Sequence, residues 1–244
     1  MSRIRMDRNL KVTVLLIAVL LAFVFGYSRI ESWIYEHFAA NVGQVASYSL
    51  PKLTFEFFRV SITASVLSIA TGMLLGIFAH SSIGRSFKTI IQKLAMIGQT
   101  IPVLALLLFA VTIFGVGMKA ALVALVVQSA LPVIFGTISG LDSVPHNFIE
   151  IAHGLGYSKA QTMFKVQLPL AKPVILSGIR IGTIICISAA TLAFSAGAGG
   201  LGLLIQTGIA TYNMVFVFEG TVPIVLIAII ADRLLRRAEK KASF

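Results

Sequence analysis

Few side chains in this sequence have the type and spacing that chemistry on a bound substrate requires. Within the long apolar runs there is no Ser/His couple, no Asp pair and no His-Glu-x-x-His, so intramembrane hydrolysis lacks a nucleophile and metal ligands. The single cysteine, Cys186, lies inside an apolar run; it excludes a disulfide framework and Cys/His metal spacing, and reads as a small lipid-phase or helix-packing residue. No G-x-x-x-x-G-K-[ST] is present, so the sequence offers no Walker-type phosphate loop for nucleotide hydrolysis. Gly197 to Gly202 is a flexible, uncharged turn with neither the strand nor the lysine that a phosphate loop needs.

What remains is charge and aromaticity. Glu56 and Arg59, three residues apart, form either a local ion pair on one helix face or a substrate contact, the pair being preferred. Arg180 is close enough to a helix end to snorkel to headgroups or to a neighbouring helix C-terminus. Tyr212, Phe216 and Phe218 follow the glycine turn and present aromatic faces that suit either a cation or an interfacial belt. Glu219 is the best intramembrane acid for an ion-driven carrier, although it lies near a span end and has no carboxylate or His partner.

The elements that must position these residues follow from composition. Of 244 residues, 57% are hydrophobic and 12% charged, a balance whose natural solvent is a bilayer. The net charge of +11 sits in clusters between apolar runs and forms no basic, aromatic-interleaved stripe, which argues against nucleic acid. The fold expected is an all-α membrane protein of about six spans: Val12–Tyr27, Phe57–Ala79, Leu94–Phe114, Ala120–Ile138, Val174–Ala193 and Met214–Ala231. The first run could begin a secretory signal, but Gly26-Tyr27-Ser28 is a poor cleavage site, and Trp33, Tyr35, Phe38 and Tyr48 suit an interfacial belt after a retained anchor. Residues 1–52 then form anchor and outer loop, and 53–244 the core. Pro102, Pro132 and Pro223 fall inside spans, where each bends or breaks a helix unless neighbours satisfy the freed carbonyls.

Basic residues fix the orientation. Arg3, Arg5, Arg8 and Lys11; Arg85, Lys88 and Lys93; Lys159, Lys165 and Lys172; and Arg233, Arg236, Arg237, Lys240 and Lys241 alternate onto one side, predicted to be cytoplasmic together with both termini. Arg29 and Lys52, accompanied by Glu31 and Glu36, and a lone Lys119 mark the other side.

The loop 141–172, between the fourth and fifth spans, is too long and polar for a simple hairpin. Pro145 suits a first turn, Gly154 and Gly156 an ending, and Ser158 with Gln161 a capping box that starts a second short helix, stopped at Leu168-Pro169. The expected product is a helix-turn-helix lying flat under the membrane, with Ile149, Ala152, Met163 and Phe164 as apolar knobs and Glu150 as a charge, shaped for a groove in another protein.

At these residues the sequence resembles a known family. Glu150-Ile151-Ala152, Gly156 and Val166-Gln167-Leu168-Pro169 are similar to the EAA signature of permeases from binding-protein-dependent, ATP-driven importers, with Ile151 in place of the usual Ala. The resemblance implies that Glu150 to Pro169, including Met163 and Phe164, couples to a cytoplasmic ABC ATPase, which holds ATP and Mg; this chain carries no cofactor, metal or catalytic residue of its own. It also implies a second permease subunit, identical or homologous, an extracytoplasmic solute-binding protein, and residence in a bacterial cytoplasmic membrane.

Two further stretches resemble the osmoprotectant branch, which imports glycine betaine, choline, carnitine or proline betaine. They are Gly98-Gln99-Thr100-Ile101-Pro102 through Gly115-Val116-Gly117, and Ser177-Gly178-Ile179-Arg180 through Ala189-Ala190-Thr191-Leu192-Ala193 into Gly197-Ala198-Gly199-Gly200-Leu201-Gly202. Gln99, Thr100, Pro102, Thr191, Gly199, Gly200 and Tyr212 are the candidate pathway or gate residues. Related permeases for methionine, phosphonate or sulfonates share the coupling loop and keep the solute open, with an ion-driven secondary transporter as the rival from another class.

Overall fold

The computed structural model describes residues 10–27, 48–81 and 84–242. Arg3, Arg5, Arg8, Arg29, Glu31, Trp33, Tyr35, Glu36 and Phe38, to which the sequence assigns topology and a belt, lie outside the described residues. Among the described residues the regular structure is helical throughout: α1 (Leu10–Tyr27), α2 (Leu50–His80), α3 (Lys88–Thr100), α4 (Val103–Phe114), α5 (Met118–Asp142), α6 (His146–Gly154), α7 (Lys159–Thr162), α8 (Leu168–Ala190), α9 (Gly202–Ala210) and α10 (Met214–Ala242). Helices α1, α2, α5 and α10, and the continuous run Lys159–Ala190, are each long and apolar enough to span a bilayer. The chain is thus a multi-pass membrane protein. Along α2, Phe55, Phe58, Ile62 and Val66 form an exposed apolar stripe, as lipid solvent allows.

Three expectations are corrected. The third span is two helices, because Ile101 is extended (ψ 124°), the conformation that the residue before Pro102 prefers, and the helix restarts after the proline. Pro132 and Pro223, by contrast, stay inside continuous helices. The helix beginning at Lys159 is not stopped at Leu168-Pro169: it passes through a π turn, Met163–Gln167, into α8. The Leu168 N–H donates to the Met163 carbonyl five residues back, and this wider turn accommodates the ring and missing N–H of Pro169. Finally, α10 continues to Ala242, since Leu, Arg, Ala, Glu and Lys are strong helix formers beyond the apolar span.

The chain divides into two compact units. The first comprises the described residues up to Ala64, Val103–Leu125 and Ile187–Leu234. Phe57, Val60, Leu107, Leu125, Leu201 and Leu204 are fully buried within it. The Gly117 N–H donates to the Ala196 carbonyl at 2.6 Å, and Tyr48 meets Phe216 edge-on at 6.2 Å.

The second unit comprises Ser65–Pro102, Val126–Cys186 and Leu235 onward. Val133, Leu141, Val144, Ala171, Ile175 and Ile179 form one core cluster, and Ala79, Ala95, Leu131, Ile134 and Ile138 another. Its helices approach through three G-x-x-x-G pairs absent from the sequence reading: Gly72/Gly76, Gly136/Gly140 and Gly178/Gly182. A Cβ on Gly72 would stand 2.6 Å from the Val133 Cβ, and one on Gly136 would stand 2.7 Å from the Gly178 Cα. Without a hydrophobic force between helices in lipid, such contact supplies the dispersion that holds α5 between α2 and α8. Cys186 is buried here beside the Ser65 and Ser129 hydroxyls, so of its two expected roles helix packing is the one observed.

Candidate functional site

The hairpin of loop 141–172 is built by two local devices in the second unit. At the end of α6, Gly156 adopts φ +81°, the left-handed conformation that costs glycine little; its N–H reaches the His153 carbonyl and the Tyr157 N–H reaches that of Ala152. This paired closure is a Schellman motif, and it turns the chain sharply. Two residues on, the Ser158 hydroxyl accepts from the Gln161 N–H at 3.3 Å while the Gln161 side chain accepts from the Ser158 N–H at 2.8 Å, as the capping box predicts. Lys165 lies 5.5 Å above the Tyr157 ring and braces the turn.

Burial sorts the expected knobs. Ala152 is buried, and Ile149 and Met163 pack on the core cluster around Leu141 and Ile175, so these three face the chain's own interior. The outward apolar set is Phe148, Ile151, Leu155 and Phe164, with Leu155 71% and Phe164 64% exposed. Sequence reasoning missed Phe148 and Leu155, which the 3.6-residue period through Ile151 picks out. Glu150 is exposed and 3.6 Å from His146, one turn before it. Val166 and Leu168 are half-buried and Pro169 exposed, at the junction with α8.

Charge at the base of the hairpin is paired internally. Asp142, the last residue of α5, accepts from Lys88 and stands 3.2 Å from the His80 Nδ1. The Arg180 Nε donates to Glu239 at 2.9 Å, with both side chains about a quarter exposed. Snorkelling is therefore not needed: the extended α10 supplies a carboxylate that the sequence reading did not connect to Arg180.

In the first unit the glycine turn is fixed in shape. Gly197, Gly199 and Gly200 have φ of +81°, +72° and +95°. The Gly200 N–H donates to the Glu56 Oε2 at 3.2 Å, and the same oxygen fills the space where a Cβ on Gly199 would project. Among the described residues no ion pair joins Glu56 to Arg59, so the expected i, i+3 bridge is replaced by this bond across 144 positions.

The other candidates are dispersed. Gln99, Thr100 and Pro102 are exposed at the end of α3 and the break after it, in the second unit. Thr191 sits behind the turn, its carbonyl against Gly202. Tyr212 is 93% exposed at φ +55°, Phe216 is 4% exposed and Phe218 is 68% exposed, so the three aromatics do not form one cage. Glu219 is buried and engaged within the chain.

Comparison with known proteins places this geometry. Residues 72–244 match the model of the family described as binding-protein-dependent transport system inner membrane component. The choline transport system permease protein OpuBB of Bacillus subtilis is 38% identical over 188 residues, covering 77% of this chain and 86% of that one. The osmoprotectant import permease protein OsmY of Salmonella typhimurium is 39% identical over 173 residues, 71% of this chain and 73% of that one. Among solved structures, a chain of the inward-facing MetNI methionine ABC transporter superposes with a TM-score of 0.69 over 80% of this chain and 96% of its own, at 23% identity, a likeness of fold.

Proposed function

The chain belongs to the binding-protein-dependent transport system inner membrane component family, and on that premise we propose that it is the pathway-forming permease subunit of an ATP-binding-cassette importer for glycine betaine-type solutes. Its relatives are named for choline and osmoprotectant import, which supports quaternary ammonium compounds as the solute class. The observation that carries the coupling role is the hairpin: a Schellman turn and a capping box spend two local motifs on presenting Phe148, Ile151, Leu155 and Phe164 outward beside Glu150.

In this reading loop 141–172 and both termini are cytoplasmic, residues 1–52 anchor the chain and form an outer loop, and 53–244 make the core. The hairpin, from Glu150 to Pro169, docks in a groove of an ABC ATPase that binds ATP and Mg. Two permease subunits, identical or homologous, form the pathway, and an extracytoplasmic binding protein delivers the solute at the bacterial cytoplasmic membrane. ATP shifts the gates because the closed ATPase dimer binds one arrangement of the two hairpins better than the other. The π turn and Pro169 join each hairpin to α8, which carries the movement into the membrane.

The deciding experiment is uptake of radiolabelled choline and glycine betaine in proteoliposomes holding this chain, its ATPase and its binding protein. Parent protein is expected to transport at least one of them and Glu150→Lys to lose uptake. Uptake undiminished in Glu150→Lys would refute the coupling role, and failure of the parent to bind the ATPase would refute the importer reading.

A further inference from the structure

Glu56 is a half-buried carboxylate within the second turn of a membrane-spanning helix. One backbone N–H at 3.2 Å, the long end of a normal hydrogen bond, is what it accepts, and among the described residues no cation pairs with it. A charge in that position is costly without a counter-ion, and a carboxylate there marks a functional contact by default. The turn is shaped around it: Gly199 leaves room for Oε2, and a Cβ on Gly200 would press 3.3 Å from the Phe57 Cα.

Two other acids are described in the same unit, Glu219 and Asp232, and both make interactions elsewhere within the chain. A quaternary ammonium group has no N–H to donate, so it is recognised by aromatic faces or by a carboxylate. The aromatic candidates are dispersed, with Phe216 buried and Tyr212 turned outward. We propose that Glu56 is a contact for the positive charge of the transported solute, and that the Gly200 N–H holds the carboxylate between solutes. This rests on the quaternary ammonium reading of the solute. A cation arriving at Glu56 competes for Oε2, and loss of the single weak bond frees the glycine turn before α9.

The test uses the full complex in proteoliposomes at saturating binding protein, with choline, a cation, and glycine betaine, a zwitterion, as probes. Glu56→Gln keeps shape and acceptor but removes charge; its maximal choline uptake is expected to fall about tenfold and its betaine uptake about threefold. Glu56→Asp is expected to retain at least a third of choline uptake. A structural role alone would depress both solutes equally and would not be rescued by charge, so equal loss, or no loss, in Glu56→Gln overturns the proposal. Should Glu56→Gln fail to assemble, Glu56→Asp decides: choline uptake below a tenth of parent with intact assembly overturns it. If parent protein transports neither probe, the solute reading itself is wrong and this inference falls with it.

Discussion

Replacing Gly136 or Gly178 with alanine inserts a methyl group where the backbone of another helix already stands. The Gly136 Cβ would lie 2.7 Å from the Gly178 Cα, and the Gly178 Cβ would lie 2.8 Å from both the Gly136 Cα and the Pro132 carbonyl oxygen. Carbon atoms sit comfortably at about 3.5–4.0 Å, so α5 and α8 must part by roughly 1 Å at this crossing. Neither contact is a side-chain tip that can rotate away. Overpacking of this kind costs about 1–3 kcal/mol, and alanine recovers about 0.5–1 kcal/mol of helix propensity, leaving a net loss centred on about 1 kcal/mol per substitution. At about 2–4 °C per kcal/mol for a chain of this size, the unfolding midpoint should fall by about 2–4 °C.

The chain supplies its own probe, because its sole cysteine, Cys186, is buried in the same unit. A maleimide dye that fluoresces on reaction with a thiol reports unfolding as Cys186 becomes accessible, at one fixed scan rate. The double variant should lose less than the sum of the singles, since helices already spread by one methyl group admit the second more cheaply. Gly154→Ala is the control: its Cβ meets nothing within 4 Å, so it should be neutral or slightly stabilising. Midpoints within 1 °C of parent for both singles, or full additivity in the double, would refute the close-packing argument.

Ser158→Ala removes one half of the capping box and should cost about 1 kcal/mol locally, read as about fivefold faster amide hydrogen exchange at residues 159–162. Gly156→Ala meets no neighbour but forces alanine into φ +81°; a local cost of about 1–2 kcal/mol should appear as faster proteolysis within 154–160 and weaker ATPase binding. Arg180→Gln and Glu239→Gln, combined in a double-mutant cycle on the same thiol assay, should show a coupling of about 1 kcal/mol, reduced at high salt because the pair is partly exposed; a coupling of zero would mean the contact contributes nothing.

The hairpin of loop 141–172 was legible in the sequence because its determinants are local. Gly156, Ser158 and Gln161 act within six residues of chain, where backbone conformation and capping depend on residue type alone. Spans were legible for a similar reason, since hydropathy over a helix length is a property of the segment. Pro169 misled, because whether a proline stops a helix depends on how the preceding turn relaxes, and a π turn absorbed it.

Sequence by itself thus determined the membrane class, most of the spans, the two turns that shape the hairpin and, through the resemblance of its motifs, the family. Tertiary structure decided the rest, for a physical reason common to each case: the interaction joins positions whose separation along the chain carries no signal. Glu56 bonds Gly200 across 144 positions instead of Arg59 three away, and Arg180 finds Glu239 across 59. Which knobs of the hairpin face outward was decided by the core, which claimed Ile149, Ala152 and Met163 for their apolar area and left Ile151, Leu155 and Phe164 on the surface.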